Sequence, residues 1–241
     1  MEGAELSARF ALPPNSKGYC GLKPLPEIFA AYLKNRNAEN LRSLQNALPF
    51  SHAHYAYLKL IARVNGRKPF EREVAEALWF GNGLLRKVKK EDLQRMIMTD
   101  FVGKGMLDEK KAERLASMLP DGFVAHHSFH TLYIHSVTGV VPPTVKTSDN
   151  CRVSCGKVIR VGKNAVEVRT QRLARKDGIL KLVPCKKKWR TSCAGIELLK
   201  NMRRGDWVAS HWGVAVMRIS KRQKNGLESA TLQNVSAANQ K

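Results

Sequence analysis

Two residues sixty positions apart, Cys151 and His211, carry the strongest chemical suggestion in this chain. Cys151 opens the run Cys151-Arg152-Val153-Ser154-Cys155-Gly156-Lys157-Val158-Ile159. His211 sits inside Gly205-Asp206-Trp207-Val208-Ala209-Ser210-His211-Trp212-Gly213-Val214-Ala215-Val216. Both runs read as strands, the second opened by a Gly-Asp turn. A cysteine at the head of one strand and a histidine inside a later one can meet across a small barrel. The pair would offer a soft sulfur ligand beside a nitrogen ligand on one surface. Nearby Lys and Arg would favour the thiolate and an anionic metal complex.

Further ligand types lie upstream. Cys20 is presented in a loop between Tyr19 and Gly21, and a histidine-rich run holds His126, His127, His130 and His135. His126 and His130 share a face both as helix and as strand, but only a helix brings them within reach of one ion. Cys20 could add a thiolate to such a site. No Glu stands between these histidines, so the zinc-protease pattern H-E-x-x-H is absent. The competing reading makes them hydrogen-bonded members of a buried aromatic segment. His52 and His54 flank opposite edges of a helical apolar stripe and do not readily share an ion. A four-cysteine zinc site from Cys151, Cys155, Cys185 and Cys193 would need spacings C-x3-C and C-x7-C, unlike the paired C-x2-C of common zinc ribbons. On a regular strand Cys151 and Cys155 stand about 13 Å apart. Zinc is therefore not the expected cargo.

The elements that must position these groups follow from composition and periodicity. The chain has 241 residues, 43% of them hydrophobic, enough for a real core. Five cysteines without framework spacing point to reduced thiols. There is no membrane-length apolar run and no signal-like start, so a cytoplasmic location is expected. Net charge is +22, unevenly spread: residues 151–241 hold 21 Lys/Arg against 5 Asp/Glu, and the first 150 hold 21 against 15. Such a basic C-terminal part should attract polyanions or acidic protein surfaces.

Residues 1–25 read as irregular. From Pro26 to Pro120 the apolar spacing, with Asn37 and Ser51 as caps and Gly66, Gly81 and Gly103 as stops, gives about six short helices. Phe123 to Val137 reads as a strand, with a helix as the alternative. Thr138 to Asn150 reads as a linker. Strands are expected at 151–161, 165–173, 179–183 and 207–219, with a further strand at 229–235. A basic insertion sits at 186–190 and a helix near 195–201. The expected class is α+β: a mainly helical domain over 1–140 with a histidine-rich strand near its end, and a small OB-like barrel over 147–241.

The Cys151 and His211 runs together resemble the HypC/HupF family of NiFe-hydrogenase maturation chaperones. That family opens with Cys, a short apolar step and Gly-Lys-Val, and later carries Gly-Asp-aromatic-Val-x-x-His-x-Gly-x-Ala. The resemblance covers roughly the last ninety residues. It implies a small β-barrel that pairs with a maturation partner protein and carries an Fe(CN)2(CO) fragment to the hydrogenase large subunit. It also implies that Cys151 is the iron or partner ligand, with His211 beside it. The sequence departs from the pattern in four ways. Cys151 is internal, and Cys155 replaces the usual proline. An insertion runs from about Pro184 to Asn201, and the tail after Lys221 lacks a strongly amphipathic helix.

The rival reading is a basic OB-like nucleic-acid-binding protein. Lys186, Lys187, Lys188, Arg190, Arg203 and Arg204 would contact phosphates, and Trp189, with Trp207 and Trp212, would stack on bases. Trp207 and Trp212 fall on opposite strand faces, which weakens the stacking platform. No nucleotide loop, nucleophile elbow or paired-carboxylate signature is present, so an autonomous enzyme is the least expected class. A plain protein–protein adaptor completes the set.

Overall fold

The computed structural model describes residues 2–21, 23–134 and 141–240. Helix and strand both occur in quantity, 51% and 20%, so the α+β class holds. The expected helices between Pro26 and Pro120 are present. They are α2 (Leu25–Lys34), α3 (Ala38–Ala47), α4 (His52–Asn65), α5 (Arg72–Phe80), α6 (Lys90–Met96) and α7 (Glu109–Ser117). The side chain of Asn37 caps α3 by accepting from the Asn40 N–H, and Gly66 ends α4 in the left-handed region, as the sequence suggests.

The first fifteen residues differ from expectation. They form α1 (Gly3–Asn15), with Pro13 and Pro14 in its last turns. Every residue of α1 except Arg9 is buried. A helix enclosed on all sides has no polar stripe, so it shows no amphipathic period in the sequence. The two prolines also open gaps in the hydrogen-bond ladder, because each lacks an N–H. Pro14 lies four residues beyond Phe10, so the Phe10 carbonyl has no intrahelical donor.

The histidine-rich segment is also helical rather than extended. A single turn, α8 (His127–Phe129), widens into a π-type turn at His130–Ile134. His126 caps it through Nδ1, which accepts from the Ser128 N–H at 3.1 Å. This local bond competes with strand formation and decides the conformation. The remainder of the expected strand, from His135 on, and the start of the expected linker lie outside the described residues. The rest of that linker forms α9 (Val145–Cys151), which opens on a Thr144–Thr147 capping box.

Five strands make a closed sheet in the order β1-β2-β3-β7-β6. They are β1 (Ser154–Val161), β2 (Ala165–Lys176), β3 (Ile179–Arg190), β6 (Trp207–His211) and β7 (Val214–Arg218). Two short strands, β4 (Ser192–Cys193) and β5 (Ile196–Glu197), pair with each other in place of the helix expected there. The basic stretch 186–190 is not an insertion but the end of β3. Lys186, Lys188 and Arg190 point outward, and Trp189 fills the sheet interior with Val158, Val166, Val168 and Val208. Gly156 makes room for it, since a Cβ there would lie 3.0 Å from the Trp189 ring.

The expected strand 207–219 is a hairpin. Trp212 and Gly213 both take positive φ, 51° and 74°, as a two-residue primed turn requires. That turn leaves His211 as the last residue of β6. Finally, the expected strand 229–235 lies within a long helix, α10 (Lys221–Ala238). Its buried face includes Leu227, Ala230, Thr231, Asn234, Val235 and Ala238, a helical spacing masked by two polar members.

Helical and sheet segments share their interior. One cluster of buried side chains joins Phe10, Trp79, Phe80 and Phe129 to Val153, Leu173, Ala209, Val216 and Leu227. A second joins α1, α2 and α3 to Cys193, Leu198 and Val214.

Candidate metal centre

Three ligand atoms from His127, Cys151 and His211 lie within 4.8 Å of one another, and all three residues are buried. They come from separate elements: the first residue of α8, the last of α9 and the last of β6. Cys151 is thus on a helix end just before β1, not on the strand itself. The Trp212 N–H donates to the Asn150 carbonyl at 3.0 Å, tying the β6–β7 turn to the end of α9.

The hydrogen bonds on the two imidazoles select their tautomers. His211 Nδ1 lies 2.6 Å from the Phe10 carbonyl, the one that Pro14 leaves without a helical donor. A carbonyl only accepts, so Nδ1 carries the proton of the neutral ring and Nε2 keeps its lone pair. His127 Nε2 lies 3.1 Å from the Cys151 carbonyl and donates by the same logic, leaving its Nδ1 lone pair. An imidazole that donates one N–H to a carbonyl while its other nitrogen stays basic is the usual arrangement of a metal-ligating histidine. Burial pushes the His127 pKa down, so the neutral, ligating form is favoured.

Cys20 reaches this group as well. Cys20 lies beside Cys151 and is the first cause that holds the Cys151 pKa well below that of an ordinary thiol. The Cys20 thiol is pushed up in turn by Cys151 and by burial. The loop that carries it is held at two adjacent residues. The Tyr19 ring packs on Trp212 with centroids 4.8 Å apart, and Ser51 Oγ donates to the Cys20 carbonyl at 3.4 Å.

Of the residues singled out in the sequence, Cys151 and His211 meet, and Cys20 stands beside Cys151 outside the three-ligand group. The histidine that completes the group is His127, not His126 or His130. His126 spends Nδ1 on the cap of α8, and His130 lines a neighbouring cavity. The i, i+4 argument fails because the helix there is one turn long. His127 had no signal of its own beyond its place in a histidine-rich run. The other cysteines lie apart. Cys155 Sγ is 3.6 Å from Glu228 Oε1, and burial pushes its thiol up to about 12. Cys193 Sγ is 3.7 Å from Ser16 Oγ, and Cys185 is half-buried on β3.

The expected phosphate and base contacts fare unevenly. Lys186, Lys188, Arg190, Arg203 and Arg204 are exposed, while Lys187 pairs with the buried Asp149 at 2.5 Å. None of the three tryptophans stands free. Trp189 is 2% exposed, Trp207 lies beneath the Lys224 ammonium at 5.0 Å, and Trp212 faces Tyr19.

A small cavity of about 20 Å³ adjoins His127 and His211 and is also lined by Cys20, Ser51, His54, Tyr57 and Trp79. Burial lowers the His54 pKa to about 3, and His127 and His211 oppose a second charge there. No described helix is long and apolar enough to cross a membrane.

The whole chain, residues 1–241, matches a family of unknown function, DUF6390, and belongs to it. No curated protein and no solved structure matches it significantly.

Proposed function

We propose that this member of the DUF6390 family is a metal-holding accessory protein of the hydrogenase-maturation type, with a centre built from His127, Cys151 and His211. The observation that carries the reading is the group itself: two imidazoles and one acidic thiol within 4.8 Å, buried and held by second-layer hydrogen bonds. A thiolate and two imidazoles suit zinc or ferrous iron, and a thiolate suits iron that carries cyanide and CO. The resemblance in the Cys151 and His211 runs points to iron, with an Fe(CN)2(CO) fragment as cargo and a maturation protein or hydrogenase large subunit as partner. Two structural features agree with it. The strands form a closed sheet, and a helix, α10, succeeds the last strand although its sequence has no clear amphipathic period.

The surroundings set a condition on any carrier role. Cys151 and His211 are each 1% exposed, so cargo exchange requires the Ser16–Gly21 loop to lift Cys20 and Tyr19 from Cys151 and Trp212. The nucleic-acid reading keeps its exposed cations but loses its stacking partners for bases, because all three tryptophans are engaged within the fold.

Anaerobic purification followed by metal analysis tests the reading. The expected content is about one iron or zinc per chain, falling at least tenfold in Cys151→Ala and His211→Ala, since each removes one of three ligands. Co-production with hydrogenase maturation machinery should add infrared bands of metal-bound CO and cyanide. Metal content unchanged by both substitutions would overturn the centre. Metal without those bands would overturn the iron-fragment cargo.

A further inference from the structure

The cavity beside the centre is lined by several buried polar residues. His54 is 7% exposed, and neither of its ring nitrogens has a hydrogen-bond partner among the described residues. Asn15 Oδ1 and Tyr57 OH belong to residues of the same cavity wall and are likewise buried without a partner. A buried polar group without a partner is costly, so a polar guest in this cavity would relieve its walls. The volume, about 20 Å³, admits one water-sized molecule and little more.

The cavity also touches the centre at the right place. His127 and His211 belong to both the ligand group and the cavity wall, whereas Cys151 does not line the cavity. An ion on the three ligands would therefore show its cavity side to His54. Three protein ligands are one short of the four that a closed structural site uses. Cys20 stands outside the group of ligand atoms that lie within 4.8 Å of one another.

The geometry points to an open coordination position: the His54 cavity receives one exogenous ligand of water or diatomic size, bound to the metal and hydrogen-bonded by His54. This rests on the metal reading above and deepens it, turning a holding site into one that binds a small ligand. His54 is a positioning residue here, acting on the exogenous ligand and not on the metal. Tyr57 and Asn15 line the same cavity.

Nitric oxide is a suitable diatomic probe, added anaerobically to protein loaded with ferrous iron alone. Wild type is expected to bind one nitric oxide per iron, read as a ferrous–nitrosyl signal by electron paramagnetic resonance. His54→Leu removes the ring nitrogens with little added volume, so iron affinity should stay within about threefold while nitric oxide binding weakens about tenfold, the loss of one hydrogen bond. Tyr57→Phe removes only a hydroxyl and should weaken nitric oxide binding without moving iron affinity, a check should His54→Leu fold poorly. Iron-loaded wild type that takes up no nitric oxide would overturn the open position and assign the fourth place to Cys20. Nitric oxide affinity unchanged in both variants would overturn the role of the cavity. Wild type that binds no iron would instead sink the metal reading itself.

Discussion

His54 and His126 have their pKa lowered to about 3 by burial, against an ordinary value of 6.5. Above pH 6.5 neither group is charged in either state, so neither costs stability. As pH falls below 6.5 the unfolded chain takes up protons that the folded chain refuses until about pH 3. Stability is therefore lost across that window, at about 1.4 kcal/mol per pH unit for each histidine. Between pH 7 and 5 the two should remove about 4 kcal/mol. Urea unfolding at both pH values checks this, and His54→Phe should halve that pH-dependent loss. At this scale the sequence is informative about Cys151 and His211, whose motif spacing is local. It is silent about His54 and His127, because what distinguishes them from other histidines is who faces them in space. The Pro14–Phe10–His211 relay is half legible: Pro14 frees the Phe10 carbonyl, but nothing local says which donor takes it.

The C-terminal helix, α10, positions the ligating histidine from a distance. Asn234 accepts from the Val124 N–H at 2.8 Å and donates to the Val124 carbonyl and to Ser128 Oγ. Those bonds hold the turn on which His127 stands. Asn234→Ala should cost about 2–4 kcal/mol by thermal or urea unfolding, since it leaves buried partners unsatisfied. It should also weaken metal binding without touching a ligand. The same helix approaches α5 backbone to backbone: a Cβ on Gly226 would lie 2.4 Å from the Gly81 carbonyl oxygen. Gly226→Ala is accordingly expected to destabilise by about 1–3 kcal/mol, the reverse of alanine's usual gain in a helix. Both features explain why this segment reads as a strand in sequence. Its buried face carries Thr231 and Asn234, and Gly226 interrupts the helix-forming pattern. The six middle helices are legible because each has an apolar stripe bounded by caps or stop residues. Buried α1 has no such stripe, and α8 is too short to show one.

At the scale of the whole chain, the division expected near residue 140 crosses a continuous interior. Phe10 and Trp79 share a cluster with Val153, Ala209 and Val216, and Arg9 donates to the carbonyls of Leu198 and Val216. Heat or urea should therefore unfold the protein in one transition, with near- and far-ultraviolet circular dichroism coincident. A fragment spanning 147–241 should not fold alone, because Ala209 and Val216 would lose their helical cover. Two separated transitions would support the two-domain division. The charge bias remains at the surface, as exposed Lys and Arg on β3 and in the Arg203–Arg204 turn, and speaks to partners rather than to fold.

The most direct test of the metal centre is a cobalt titration of the metal-free protein under reducing conditions. Wild type should bind about one Co2+ per chain, with a thiolate-to-cobalt charge-transfer band and visible bands of tetrahedral intensity. Cys151→Ser should lose the charge-transfer band, while His127→Ala and His211→Ala should each weaken binding at least tenfold. Failure of wild type to bind, or the same spectrum in Cys151→Ser, would contradict a centre at His127, Cys151 and His211.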